Sequence, residues 1–445
     1  MIFSWRQLWR GNRLRRDTGG KNRMNPDVEL TIPSHFRCPI SLDLMKDPVT
    51  LSSGITYDRE NIEKWIEDGN QTCPVTNQVL TSFDQIPNHS IRKLIQDWCV
   101  ENKSFGIERI PTPRIPITPS QVYEISSTIL SAVENGDSKK CQELVGKIKV
   151  LARESERNKI CIKENGVGYV LATCFDKFSD NFQENEELLK YILSELTWIF
   201  PLGSEGLSKI GSSKSLRTIA WLLNGEDLSS KQHGVMILKE LHYYYSDKLR
   251  EIEGIPEALF KIIKVPICPK ATKASLMVIY HMLSTTNDDS KILSKFLDMG
   301  LVSLLIEMIV EGEKGILEKS LGVLDRICSW KEGKEKVINN ALAMPLIVKK
   351  ILRISDLATE FCISILWKLL CNNNNKDIII EDENNIVIEA MEVGGFQKLL
   401  VILQVGCGEK TKEKTNELLK MMNLYKDRVN CVDSSTGFKY LKRTY

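Results

Sequence analysis

"IPSHFRCPISLDLMKDPVTLSSGITYDRENIEKWI" at residues 32–66 and "CPVTNQVL" at 73–80 hold two Cys-Pro steps close together, which look like the start of a zinc site. A structural zinc takes four Cys or His ligands, commonly with a Cys-x2-Cys pair that fixes half the tetrahedron. Between residues 33 and 105 the candidates are His35, Cys38, Cys73, His89 and Cys99, and none form a Cys-x2-Cys pair. One improvised ion could be assembled from them, but the paired ions of a cross-brace could not. The segment is expected to be metal-free and to need no cofactor.

Its local pattern still describes a compact α+β fold. Val49, Leu51 and Ile55 flank a Ser-Ser-Gly turn, which predicts a hairpin. Asp58 stands as N-cap before "RENIEKWIEDG", where Ile62, Trp65 and Ile66 keep helical spacing until Gly69 ends the run. Asn88 caps "HSIRKLIQDW", with Ile91, Leu94, Ile95 and Trp98 on one face. The order is loop, hairpin, helix, loop, helix, and the two loops are the Cys-Pro segments. On periodicity alone, Ile40 and Trp65 fit equally well in the core or on the surface.

Outward from this domain the chain changes character. Residues 106–120, "GIERIPTPRIPITPS", hold Pro111, Pro113, Pro116 and Pro119. Prolines at that density predict an extended, semi-rigid spacer and a domain boundary. From 121 to 445 the pattern is helical almost throughout. A small residue followed by an apolar helix start recurs at Gly166, Gly211, Gly254, Gly300, Ala343 and Gly395, at intervals of 45, 43, 46, 43 and 52 residues. That period is the one of armadillo or HEAT repeats, so an α-solenoid offering an extended concave surface to a protein partner is expected. The longest interval contains "NNNNKDIIIEDENN", read as a loop. His233 and His281 stand alone, and Cys161, Cys174, Cys328 and Cys362 sit in apolar helical runs where a buried small hydrophobe is the default.

Residues 1–30 begin "MIFSWRQLWRGNRLRR" and are read as a basic, flexible tail. Trp5, Leu8 and Trp9 can share one helical face, so a membrane-surface or nuclear-targeting arm is the alternative. No stretch has the continuous apolar length of a membrane span. Lys plus Arg number 60 against 58 Asp plus Glu, a balance that gives no argument for nucleic acid as a partner. Twelve scattered cysteines without a secretory signal read as reduced thiols, which places the protein in the cytoplasm or nucleus.

With "CPVTNQVL" and "IPNHSIRKLIQDW" following in order, residues 31–105 resemble the U-box domain, and a U-box ahead of armadillo repeats resembles the plant U-box ubiquitin ligases with a short N-terminus. The resemblance implies a mostly α chain: a small α+β, RING-like but zinc-free domain, then the armadillo solenoid. It implies hydrogen bonds and salt bridges in place of zinc, with Cys38, Pro39, Pro48, Gly54, Tyr57, Asp58 and Cys73 as structural positions. It also implies a shallow groove for a ubiquitin-charged conjugating enzyme. Ile40 and Leu42 of the first loop, Trp65 of the helix, and Pro74 and Asn77 of the second loop would form that groove. Many relatives place a basic residue where Asn77 stands; an amide can donate there but carries no charge.

The expected activity is that of an E3 ubiquitin-protein ligase with no covalent intermediate. It would orient the donor thioester for a substrate lysine, while the repeats hold the protein substrate. Pairing of two U-boxes is left open. A nucleophilic Cys38 or Cys73, or a non-catalytic scaffold docking through the U-box alone, are the competing readings.

Overall fold

The computed structural model describes residues 32–110, 116–283, 290–371 and 381–426. The basic tail 1–30, the spacer residues 111–115 and the Asn-rich stretch 372–380 lie outside the described residues. The chain divides into two compact units, 1–115 and 116–445.

The first unit is built on a three-stranded antiparallel sheet of order β2-β1-β3, comprising β1 (Pro48–Thr50), β2 (Thr56–Asp58) and β3 (Ile86–Pro87). The register pairs Val49 with Tyr57 and with Pro87. The hairpin turn closes through Gly54, whose φ of 77° favours glycine, and Leu51 N donates to Ile55 O at 3.1 Å. Helix α1 (Arg59–Glu67) follows β2 directly, and α2 (His89–Glu101) follows β3. The predicted cap at Asn88 is present: its Oδ1 accepts from Ile91 N at 3.1 Å. Its amide also reaches the hydroxyls of Thr50 and Thr56, tying α2 to the hairpin.

Asp58 differs from expectation. It occupies the N-cap position of α1 but makes no side-chain cap. Its Oδ1 instead accepts from the backbone of Lys46 and Asp47, at 2.9 and 2.7 Å. Two loop N–H groups outcompete the helix for one carboxylate.

The spacer reading of 106–120 also needs narrowing. Ile110 is buried in the core of the first unit with Ile107 packed against it, so residues 107–110 belong to that unit. On the other side Ile117 is buried in the second unit and its N–H donates to the buried Asn158. Pro119 opens a helix behind a Thr118–Gln121 capping box.

The second unit is a stack of helices. It starts with α3 (Pro119–Glu134) and α4 (Ser138–Glu154). Three-helix groups follow: α5 (Glu156–Glu164), α6 (Val167–Phe178) and α7 (Glu186–Ile199), then α8 (Ser204–Ile210), α9 (Ser213–Asn224) and α10 (Leu228–Glu251). Helix α10 is kinked at Tyr245, so its tail opens the next group with α11 (Ile255–Lys264) and α12 (Pro269–Met282). The last three groups are α13 (Ser290–Asp298), α14 (Leu301–Glu311) and α15 (Lys314–Ile327); α16 (Lys331–Ile338), α17 (Ala343–Lys350) and α18 (Asp356–Leu370); and α19 (Glu381–Glu392), α20 (Gly395–Val405) and α21 (Glu409–Asn423).

Four of the second helices are entered through a left-handed glycine: Gly166, Gly254, Gly300 and Gly394, with φ between 76° and 90°. Here a turn without Cβ strain lets one helix stop and the next begin. Gly394 therefore plays the part expected of Gly395, which is the first residue of α20, and Gly211 has an ordinary φ of −86°. Glu381–Asn385, expected to be loop, belong to α19.

The third helices form one continuous row, α4, α7, α10, α12, α15, α18 and α21, each packed on the next. Side chains link successive members: Lys149 to Glu195 at 3.4 Å, Arg326 to the Tyr280 hydroxyl at 2.7 Å, Lys368 to Asp325 at 2.7 Å and Lys414 to Ser364 at 2.8 Å. Cys174, Cys328 and Cys362 are buried as expected, whereas Cys161 is half-buried.

Candidate functional site: the two Cys-Pro loops

The two loops share one backbone pattern despite unlike sequences. In the first, Cys38 N donates to Asp43 O and Leu42 N to Cys38 O, both at 2.8 Å. In the second, Cys73 N donates to Gln78 O at 2.8 Å and Asn77 N to Cys73 O at 2.9 Å. The fourth residue after each cysteine, Leu42 or Asn77, is left-handed, with φ of 61° and 56°. A hydroxyl one position earlier closes each tip: Ser41 accepts from Asp43 N and Thr76 from Gln78 N. Matching β-bridges, Arg37 to Leu44 and Thr72 to Val79, seal the bases.

One face of α1 holds both loops. Asn61 and Trp65 are one helical turn apart and therefore neighbours on that face. The Asn61 amide donates to Ser41 Oγ at 3.1 Å and to Cys38 Sγ at 3.5 Å, fixing the first loop. The Trp65 indole N–H donates to Thr72 O at 2.9 Å, fixing the second. Asn70 in turn donates to Trp65 O.

The cysteines serve these contacts from the interior, and both are fully buried. Cys38 Sγ accepts from Asp58 N at 3.3 Å. Cys73 Sγ lies 3.0 Å from the Tyr57 hydroxyl. Burial, and then the bond to Cys73, push the Tyr57 phenol above its ordinary range, so Tyr57 is the donor. For Cys73, burial opposes ionisation, but the surrounding hydroxyls outweigh it and draw the thiol down to about 6. A lowered pKa alone does not make a nucleophile, and a sulfur with no exposed surface cannot meet a bulky thioester.

A second network braces the frame behind the loops. The Asp47 carboxylate bridges Arg59 Nε, at 2.7 Å, and the Arg92 guanidinium, joining the start of β1 to α1 and α2. Arg59 also donates to Gln85 Oε1 at 3.0 Å. Burial raises the Asp58 carboxyl pKa, against the two backbone donors that lower it.

Among the expected groove residues, Leu42 is 67% exposed and Asn77 is exposed. Ile40 and Trp65 are half-buried and rest on the core, which settles the open reading of both: each is core on one side and surface on the other. Pro74 is half-buried and Val75 and Val79 are exposed on the second loop. Pro39 is exposed, while Pro48 and Tyr57 are core. Sequence reasoning missed Asn61, Thr72 and the Asp47 bridge. The signals for them were the i, i+4 spacing of Asn61 and Trp65, and the Ser or Thr three residues after each cysteine.

Two Cys-Pro loops locked to one face of a helix, beside a small sheet and ahead of three-helix repeats, define a U-box protein with armadillo repeats. Residues 32–104 match the family model of the U-box domain, and residues 121–442 match that of the plant U-box protein ARM repeat region. The chain belongs to the plant U-box protein family. It is 50% identical over 424 residues to U-box domain-containing protein 21 of Arabidopsis thaliana, covering 94% of each chain. U-box domain-containing protein 20 of the same plant is 46% identical, again over 94% of each chain. E3 ubiquitin-protein ligase PUB23 of Arabidopsis thaliana is 33% identical over 405 residues, covering 89% of this chain and 93% of that protein.

Proposed function

We propose that the chain works as an E3 ubiquitin-protein ligase in which Ile40, Leu42, Trp65, Pro74 and Asn77 receive a ubiquitin-charged conjugating enzyme. The observation that carries this reading is the locking of both loops to the Asn61–Trp65 face of α1, with Leu42 standing 67% exposed at the tip of one loop. An apolar side chain held out on a braced loop is what an anchor of a protein interface needs. The tip is also strained: leucine in the left-handed region costs about 1–2 kcal/mol, and such conformations persist where the surroundings impose them, commonly at functional sites.

Transfer then proceeds without a covalent intermediate on the ligase. The U-box restrains the donor thioester, the row of third helices holds the protein substrate, and the gain comes from proximity and orientation. The alternative of a scaffold that only docks gains nothing from this geometry. The free thiols among the described residues support a cytoplasmic or nuclear setting. Exposed Phe83 and Ile86, the latter on edge strand β3, support pairing of two U-boxes, which sedimentation of the intact chain measures.

The test is reconstitution from ubiquitin, activating enzyme, a conjugating enzyme and ATP, with the wild type beside Leu42→Ala and with a chelator. Chain formation by the wild type, unaffected by chelator and reduced at least tenfold in a variant whose melting temperature is unchanged, is the expected result. Failure of the wild type across a panel of conjugating enzymes would overturn it.

A further inference from the structure

The row of third helices changes chemistry at its centre. Where α4 meets α7 and where α15 meets α18, a lysine of one helix faces a carboxylate of the other: Lys149 faces Glu195, and Lys368 faces Asp325. Across α10, α12 and α15 the facing groups are instead His242, Tyr280, His281 and Arg326. The rings of His242 and His281 stack with centroids 4.1 Å apart, and the Arg326 guanidinium lies 4.6 Å from the Tyr280 ring centroid. Besides burial, what bears on His281 is the charge of His242 and of Arg326, both basic groups.

Among the described residues no carboxylate forms an ion pair with this cluster. Glu240 and Asp325, the acids nearest to it in sequence, are held by Lys239 at 3.0 Å and by Lys368 at 2.7 Å. A guanidinium carries five N–H donors. That of Arg326 donates through Nη2 to the Tyr280 hydroxyl at 2.7 Å, while its Nε is buried with no acceptor among the described residues. Buried donors are ordinarily satisfied, so an orphan of this kind needs a reason. His242 Nδ1 donates to Lys239 O, a carbonyl that can only accept, which leaves Nε2 as the nitrogen that can face a ligand. All four side chains keep part of their surface accessible, and Tyr243, next to His242, is 77% exposed.

We propose that the cluster of His242, Tyr280, His281 and Arg326 receives a carboxylate side chain of the protein substrate, so that the row selects segments rich in Asp and Glu. This rests on the reading of the row as the substrate-holding surface and adds a substrate class to it. Charge complementarity fixes the occupant. A planar carboxylate accepts from an arginine and a protonated histidine together, and it supplies at this step the acid that Glu195 and Asp325 supply at theirs. Like charge on the incoming segment is rejected. Tyr243 stands beside the cluster as an aromatic anchor for the rest of the segment.

Fluorescence anisotropy of labelled peptides on the intact chain, with no conjugating enzyme present, tests this. A peptide of eight glutamates should bind about tenfold more tightly than one of eight glutamines. Arg326→Gln should remove that preference. Since this substitution also takes away the bond to Tyr280, His242→Gln, on a ring already part-exposed, must reduce the preference about threefold or more with the melting temperature of the repeat unit unchanged. Equal binding of the two peptides would overturn the proposal, as would tighter binding of a peptide of eight lysines. A glutamate preference untouched by His242→Gln would place the acid on another basic stretch, such as residues 1–30, and overturn it equally. Chain formation is not the readout, so the ligase reading stands or falls separately, by reconstitution.

Discussion

At the scale of single residues, Leu42 and Asn77 occupy the same place in two loops of unlike sequence, and the physics of the two positions differs. Asparagine tolerates the left-handed region because its short polar side chain can bond locally, whereas other side chains meet their own backbone. Asn77→Arg therefore has two opposed consequences. It should lower the U-box melting temperature by a few degrees, for a conformational cost of about 1 kcal/mol. It should also speed ubiquitin discharge roughly fivefold, because a charge-assisted bond replaces a neutral one. Differential scanning fluorimetry and single-turnover discharge read the two effects separately, and no gain in rate would remove Asn77 from the docking set. The sequence made Asn77 legible by its place in "CPVTNQVL" but hid the backbone of Leu42. Nothing in a leucine announces a positive φ; only the loop's closed hydrogen bonds impose it. Asp58 was misleading for a related reason, since a capping residue type says what a side chain can accept and not which donor reaches it first.

At the scale of elements, the helices were the most legible part. Asn88 caps where expected, and the glycine period marks the repeats, because apolar spacing and left-handed turns leave direct traces in sequence. Pairings between elements left none. His281, isolated in the chain, stacks on His242 with ring centroids 4.1 Å apart and adjoins Tyr280, over which Arg326 sits. Burial first, then the charges of His242 and Arg326, hold His281 down to about 4. The folded state thus resists a proton that the unfolded chain accepts near pH 6.5. Between those values the unfolded chain binds more protons, so stability rises with pH and is lost as pH falls from 6.5 towards 4. His281→Gln should flatten that part of the curve, measured by urea denaturation of the repeat unit at pH 7 and pH 5. An equally steep loss in the variant would assign the effect elsewhere.

For the whole molecule, two units with separate cores should melt separately. Asp47 is the natural probe, because its carboxylate serves two guanidinium groups, each mostly buried. Asp47→Ala leaves both without that partner, a loss of about 2–3 kcal/mol once partial exposure is allowed for. In a domain of this size that is a fall of about 10–20 °C. Calorimetry should show the U-box transition moving and the repeat transition staying in place; a joint shift would mean the two cores melt as one. Ile107, Ile110 and Ile117 look like spacer residues until the two cores claim them. The row of third helices has a mechanical consequence. Each member leans mainly on the one before and the one after, so no central knot of contacts must rupture at once. Drawn out from its two ends, the array should yield as a spring does, one coil after another at low force, and recoil when released.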